Sequence, residues 1–307
     1  MNGVLVAFAV IGVLIGAGYF SARFGLVAVA QGPTLNRIAF YIFSPALLFS
    51  VLAKTSVDNL FSPVIVVILI SSLATALIFI LLSRIFFRRN LSDTTVGVAA
   101  SIYLNSNNIG LPISLFVIGD LSYYAPVLMM QIILFLPILL GILEASKGKV
   151  TSVKKIILGT LLNPLIIASV LGFLVSLNHV VLPEVVIQPL TTMGAAAVPL
   201  LLFAYGISLR GQKVFHAEGD RPVSITGTVL KALVMPAIAL VVGAAVFHLP
   251  PHQLFAAVIL TSLPTAQNMY TYASVYKAEI FAVRDVVFTT TIVSLPLMFF
   301  IAAIMAA

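Results

Sequence analysis

The sequence predicts an all-α polytopic membrane protein of ten transmembrane helices, arranged as two inverted five-helix repeats with broken, crossing fourth and ninth helices. Three observations lead to this prediction. The 307-residue chain is 61% hydrophobic and only 8% charged, whereas soluble domains carry about 25% charged residues. Its apolar runs are long enough to cross a bilayer. Prolines in similar apolar contexts recur about half a chain apart.

The ten apolar segments are separated by short linkers, which indicates one compact bundle. They cover 3–21, 35–53, 63–83, 94–118, 123–143, 156–176, 187–208, 224–247, 252–275 and 281–304. The first segment has no basic residues before its apolar run, so we interpret it as a helix and not as a cleaved signal peptide. Within it, Gly12 and Gly16 have the spacing of a helix-packing contact.

The cations predict the orientation. All of the 16 Lys and Arg residues except Lys54 lie in or beside odd-numbered linkers. Short loops rich in these residues mark the cytoplasmic side, so both termini are expected outside the plasma membrane (the inner membrane of a bacterium). A basic rim also accounts for the net charge of +7 without a nucleic-acid partner. Lys231 and Glu144 lie near predicted helix ends, where we expect their side chains to reach the interface.

Three proline pairs indicate an internal duplication. The pairs are Pro45 with Pro199, Pro112 with Pro264, and Pro137 with Pro296. We therefore expect a first repeat at 1–145, a short cytoplasmic linker at 146–155 and a second repeat at 156–307. Five helices per repeat invert the second half relative to the first, as in secondary transporters. Pro45 and Pro199 have no amide cluster beside them and are interpreted as hinges of the scaffold.

Two polar interruptions lie at corresponding places in the halves. They are SIYLNSNNIGLPISLF at 101–116 and ILTSLPTAQNMYTYASVY at 259–276. In hydrocarbon, irregular backbone is tolerated only where protein or an aqueous cavity surrounds it, so we expect the two breaks to meet at the bilayer centre. The predicted breaks are shaped by Gly110, Pro112 and Pro264, and Pro264 should free the carbonyl of Leu260.

The predicted binding site consists of amide and phenol side chains around these breaks. Its members are Asn105, Asn107, Asn108, Gln267, Asn268 and Tyr270. Amides and the N-termini of half-helices can hold an anion without a buried cation. Any single amide could equally serve as a hydrogen bond between helices, worth about 0.6 kcal/mol. The chain has no HExxH zinc motif and no phosphate-binding glycine loop before a basic residue, so we expect neither an enzyme nor a cofactor or metal site.

These segments resemble the auxin efflux carrier family, which includes bacterial malonate and malate carriers and the plant PIN-FORMED exporters. The resemblance covers essentially the whole chain. It is carried by LNRIAFYIFSPALLF at 35–49, Asn105 with Gly110 and Pro112, Asn163-Pro164, the Lys231-to-Pro236 spacing, and Pro264 in SLPTA. Two departures from the plant members are the short segment 144–155 and Leu104 in place of a proline.

The resemblance implies a scaffold of helices 1, 2, 6 and 7, often a homodimer, and a transport domain of helices 3–5 and 8–10 that moves as an elevator. It implies an organic anion held where the fourth and ninth helices cross, with Asn105 as the substrate-contacting asparagine. The function expected is therefore secondary transport of small carboxylates through the lipid bilayer. The alternatives are a sodium-coupled carrier of bile-acid-symporter type and a ligand or sterol sensor that does not transport.

Overall fold

The computed structural model describes residues 2–54, 62–146, 162–210 and 220–305, with the side chains of 2–5 and 107 left aside. These residues form α-helices with short π and 3₁₀ turns, and a single isolated β-bridge joins two of the connections. The helices are α1 Asn2–Arg23, α2 Val29–Leu52, α3 Val64–Phe87, α4 Leu91–Ile102, α5 Asn108–Ile118, α6 Tyr124–Ser146, α7 Pro164–Leu177, α8 Glu184–Ser208, α9 Arg221–Val246, α10 Pro251–Thr261, α11 Asn268–Tyr276 and α12 Ile280–Met305.

Seven helices in the described ranges are long and apolar enough to cross a membrane, namely the main parts of α1, α2, α3, α6, α8, α9 and α12. Three shorter apolar helices, α5, α7 and α10, accompany them. A helix satisfies its own backbone hydrogen bonds, which is why apolar chain of this length folds this way in lipid. The protein is therefore a helical, multi-pass membrane protein, while ten crossings and the inverted repeat stay predictions.

The chain divides into two compact units that do not follow its halves. The first takes its residues from Met1–Ser62, Asn107–Met129 and Leu158–Gln212, and the second from Pro63–Ser106, Met130–Ile157 and Lys213–Ala307. Unit 1 thus contains α1, α2, α5, α7 and α8, while unit 2 contains α3, α4, α9, α10, α11, α12 and most of α6. The predicted linker, 146–155, falls almost wholly outside the described residues.

Unit 1 is packed through glycines that let helix backbones touch. A side chain at Gly18 would collide with the carbonyl of Phe203, and one at Gly206 would collide with the carbonyl of Ile15. These contacts join α1 to α8. Gly12 and Gly16 face open space, so the contact predicted there is not made with another described helix of this chain.

The two prolines predicted as hinges also lie in unit 1. Pro45 follows a π-turn at Ala39–Phe43, where the Ser44 hydroxyl donates to the carbonyl of Ala39 at 2.9 Å. Pro199 lies inside α8, which continues through it to Ser208. Their role as hinges stays a prediction.

Unit 2 surrounds the ends of α4 and α10 with the long helices α3, α6, α9 and α12. A core of Phe79, Val223, Leu230 and Ala282 joins α3, α9 and α12. Gly97 on α4 leaves room for the ring of Phe79, which a larger residue would meet at 2.4 Å. This packing holds α4 in place up to Ile102, where the helix stops.

Candidate functional site

The break after α4 and the break after α10 lie against each other in unit 2. Tyr103 leaves the helix with extended backbone, and Leu104 forms an antiparallel β-bridge with Thr265. The Asn105 amide donates to the carbonyl of Pro264 at 2.8 Å, and the Ala266 amide donates to the carbonyl of Tyr103 at 3.1 Å. Each break thus supplies the partners that the other lacks, which is how non-helical backbone survives at membrane depth.

A buried glutamine, Gln131 of α6, completes the hydrogen bonding of Leu104. Its Oε1 accepts from the Leu104 amide at 2.9 Å. Its Nε2 donates to the Leu104 carbonyl at 3.3 Å and to the Ser106 hydroxyl at 2.7 Å. Sequence reasoning missed this residue. The available signal was a single amide within the apolar run MMQIILF, at 129–135.

Threonines hold the break after α10. The Thr265 hydroxyl donates to the carbonyl of Ala100 at 2.5 Å, and the Thr265 amide donates to the hydroxyl of Thr290 at 3.1 Å. The Thr290 hydroxyl in turn donates to the carbonyl of Val286, one turn earlier on α12, at 2.7 Å. The break is therefore attached to α4 on one side and to α12 on the other.

Lys231 is placed differently from the prediction. It lies at the π-turn Leu230–Val234 within α9 and is fully buried. Its Nζ donates to the carbonyl of Thr261, the last residue of α10, at 2.7 Å, and lies 3.6 Å from the sulfur of Met235. The expected position at the membrane interface is therefore wrong. A cation at the C-terminal end of a helix meets the negative end of its dipole.

Pro264 does not free the carbonyl that the sequence predicts it to free. The carbonyl of Leu260, predicted to be freed, accepts from the amide of Leu263 at 3.2 Å. The last turn of α10 therefore closes by a three-residue hydrogen bond. In the turn that ends α10, the carbonyl of Thr261 accepts a hydrogen bond from the side chain of Lys231 in α9.

The predicted site residues divide between the two units. In unit 2, Asn105 is buried, Gln267 and Asn268 are half-buried at the start of α11, and Tyr270 is 40% exposed. Unit 1 contains Asn107, Asn108, Gly110 and Pro112. Asn108 is buried, and the side chain of Asn107 lies outside the described part. The pairing described above joins Asn105 to Pro264 only through the backbone.

The start of α11 can attract negative charge. This helix begins at Asn268, directly after the break, and no acidic residue stands in its first turn. The amides at the start of a helix carry a partial positive charge. Half-buried Gln267 and Asn268 add side-chain donors at the same place. The chemistry suits a small anion with oxygen acceptors.

Comparison with known proteins identifies the class of protein. An uncharacterized transporter of Methanocaldococcus jannaschii is 24% identical over 298 residues, with 92% of each chain covered. The membrane transport protein family matches residues 4–302, nearly the whole chain. Its members are transporters and not enzymes. The chain therefore belongs to the membrane transport protein family, the family of the auxin efflux carriers.

Proposed function

We propose that this transporter is a secondary carrier of small organic anions, of the malonate or malate type, in the plasma membrane. The observation that supports it best is the pairing of two helix breaks in unit 2, at Leu104 and Thr265. Interrupted helices whose ends and freed backbone face a site near the midplane are the usual basis of substrate binding in secondary transporters.

The proposed ligand contacts come from both sides of this pairing. Asn105 precedes one half-helix, and Gln267 and Asn268 open the other. Their amide groups offer donors to a carboxylate and acceptors to a hydroxyl or a protonated carboxyl group. Tyr270, partly exposed one turn further along α11, would bound the same ligand. Asn107 and Asn108, which belong to unit 1, stay predictions from the sequence.

Lys231 is not among the proposed anion ligands, although it lies at the end of α10 where the break begins. Its ammonium group already donates to the carbonyl of Thr261. A dedicated counter-charge is not required, since the amides at helix starts can neutralise a small carboxylate in part. Binding that lacks a full counter-charge is weaker and reversible, as a carrier needs.

We further propose alternating access by an elevator movement of the transport helices, in a chain with ten crossings, inverted repeats and both termini outside. Two features support the division into scaffold and transport helices. The scaffold helices 1, 2, 6 and 7 correspond to α1, α2, α7 and α8, which all belong to unit 1. Of the transport helices, 3, 8, 9 and 10 correspond to α3, α9, α10, α11 and α12, which all belong to unit 2, whereas helices 4 and 5 are divided between the units. A homodimer through the scaffold stays a prediction.

Counterflow in reconstituted vesicles tests the proposal. Vesicles loaded with unlabelled malonate should accumulate external labelled malonate, and malate should compete with it. An indole acid in a parallel arm separates small dicarboxylates from auxin-like substrates. Protein-free vesicles and an unrelated neutral solute serve as controls.

Two outcomes would replace the proposal with the alternatives. Flux that requires an inward sodium gradient would identify a sodium-coupled carrier of bile-acid-symporter type. Saturable binding of an anion or a sterol, without flux of any solute, would identify a sensor. Neither binding nor flux for any of the anions would contradict the assignment of an organic-anion carrier.

A further inference from the structure

A lateral groove opens on the surface of unit 2, and one end of it reaches Tyr103 beside the paired breaks. It is a cavity of about 490 Å³ between α3, α4 and α6. Small and medium side chains form its floor, among them Ala76 of α3, Ala99 of α4 and Leu139 of α6, all buried. Exposed Leu73 and Ile138 form its rim. In a membrane-spanning helix bundle, such a rim faces lipid.

The polar groups that line this groove differ in whether they already have a partner. The Thr95 hydroxyl donates to the carbonyl of Leu91 at 2.6 Å, and the Thr94 hydroxyl is paired with that of Ser83 at 2.9 Å. Arg84 lines the groove, is exposed and forms no ion pair with another described residue. The groove is therefore apolar, with one positive charge that has no acidic partner in the described part of the chain.

The dimensions match one leaflet of a bilayer. Arg84 lies in the last turns of α3, and Tyr103 closes the groove just after α4. From Leu91 to Tyr103 a helix advances about 18 Å, while half the hydrocarbon core is about 15 Å thick. A chain whose head meets Arg84 would therefore end near Tyr103, at the middle of the bilayer.

We propose that this groove binds one acyl chain of an anionic glycerophospholipid, with Arg84 holding its phosphate. The positive end and the apolar length complement the two parts of such a lipid. Arginine is the side chain best suited to bind phosphate through two parallel hydrogen bonds. The groove would select such a lipid because its floor is concave and its positive charge lies at one end only.

Occupancy of the groove would bear on the paired breaks. Tyr103 is buried at the inner end of the groove, and its carbonyl accepts from Ala266. Its hydroxyl donates to the carbonyl of Gln131 at 3.4 Å. An acyl chain packed against Tyr103 would keep water from these buried hydrogen bonds and stabilise the pairing.

Quenching by brominated lipids tests this proposal, because the chain contains no tryptophan. A Leu73→Trp reporter on the rim is placed in phosphatidylcholine vesicles with increasing brominated phosphatidylglycerol. We expect quenching to be half complete at about fivefold less phosphatidylglycerol than for a Leu240→Trp reporter on the exposed part of α9, given the usual attraction of one arginine for anionic lipid. Equal quenching at the two positions would overturn the proposal.

Three further arms isolate the headgroup, the groove and the lipid. Arg84→Gln should remove the preference for phosphatidylglycerol, while Arg88→Gln, at an exposed arginine directly after α3, should keep it. Ala99→Phe should fill the floor and raise the phosphatidylglycerol needed for half quenching of Leu73→Trp to that of the Leu240→Trp reporter, with folding checked by size-exclusion chromatography. If Ala99→Phe does not fold, Ile138→Phe at the rim replaces it. In the third arm, a brominated fatty acid replaces the brominated phospholipid. A preference kept in Arg84→Gln, or shown only for the brominated fatty acid, would contradict a phospholipid site.

Discussion

At Asn105 the backbone and the side chain have separate roles. The amide nitrogen donates to Pro264, which holds the pairing of the breaks, and any residue except proline can make that bond. The side chain is buried at the entry to the helical turns that lead into α5. Substitution of this side chain therefore separates ligand binding from folding.

Asn105→Ala should abolish malonate flux and leave the amount of folded protein unchanged. Losing a hydrogen bond to a charged ligand group costs about 1.5–3 kcal/mol, which lowers affinity by roughly 10–100-fold. Counterflow and size-exclusion chromatography measure the two quantities. Asn178→Ala, at an exposed position after α7, is the matched control. Unchanged transport kinetics in Asn105→Ala would contradict the site assignment.

Lys231 shows what one buried charge does for a helix end. It donates to the carbonyl of Thr261 in a fully buried position. Lys231→Met keeps the length of the side chain and leaves that carbonyl without this donor, which costs about 1–3 kcal/mol. We expect a lower thermal stability of the purified protein. Lys277→Met, at an exposed lysine after α11, should have little effect, and equal stability of the two variants would refute this role.

At the scale of elements, α6 supports the end of α4 through one side chain. Gln131 makes hydrogen bonds to both backbone groups of Leu104 and to the Ser106 hydroxyl. Apolar packing alone could not satisfy these groups, and unpaired backbone in hydrocarbon is costly. The helix break is thus a property of several elements and not of α4 alone.

Gln131→Leu should destabilise unit 2 by several kcal/mol, because each buried group left unpaired costs about 1–3 kcal/mol. Hydrogen exchange should accelerate most at residues 103–106. Gln188→Leu, at an exposed glutamine of α8, provides the control. Protection of 103–106 that is the same in both variants would show that Gln131 does not support the break.

An ion-pair network joins three connections of unit 2 outside the membrane-spanning segments. Arg89, before α4, binds Asp220, before α9, at 3.0 Å and Glu279, before α12, at 2.7 Å. Glu279 is buried and adopts the left-handed backbone conformation, with φ +42. The pKa of Glu279 is raised to about 7, mainly by burial and also by the nearby carboxylates of Asp220 and Asp93, while Arg89 opposes the rise.

This network predicts a pH dependence of stability. The folded-state pKa of Glu279 exceeds the ordinary value of 4.5, so the folded protein binds this proton more tightly than the unfolded chain. The resulting stabilisation is present below pH 4.5 and is lost as the pH rises through about 7. Glu279→Gln should flatten the decline in thermal stability between about pH 5 and pH 8. Glu184→Gln, at the exposed start of α8, should leave this decline unchanged. An unaltered pH profile in Glu279→Gln would contradict the proposed linkage.

For the whole molecule, the absence of cysteine makes the orientation directly testable. A cysteine replacing Lys149, which lies outside the described residues, should react with an impermeant thiol reagent only after cells are permeabilised. The reason is that its linker carries four lysines, and short loops rich in Lys and Arg stay in the cytoplasm. Lys54→Cys should react in intact cells. Labelling of Lys149→Cys from outside would refute the predicted topology.

In the whole molecule, the helices are grouped by contact differently from their order along the chain. The proline pairs divide the sequence into halves, whereas each compact unit takes helices from both halves. Chain order cannot predict this, because helices far apart in sequence pack together once the membrane aligns them. The break of the fourth predicted helix falls at the boundary between units, after Ser106.

The sequence by itself determined a helical multi-pass membrane protein with polar breaks near Asn105 and Pro264. Composition and length suffice for that conclusion, because lipid leaves the backbone no partners outside a helix. Only the tertiary structure decided that Gln131, Thr290 and Lys231 serve those breaks. A lone polar side chain in an apolar helix looks the same in sequence whether it reaches the interface or a buried carbonyl. The choice depends on which distant helix packs against it.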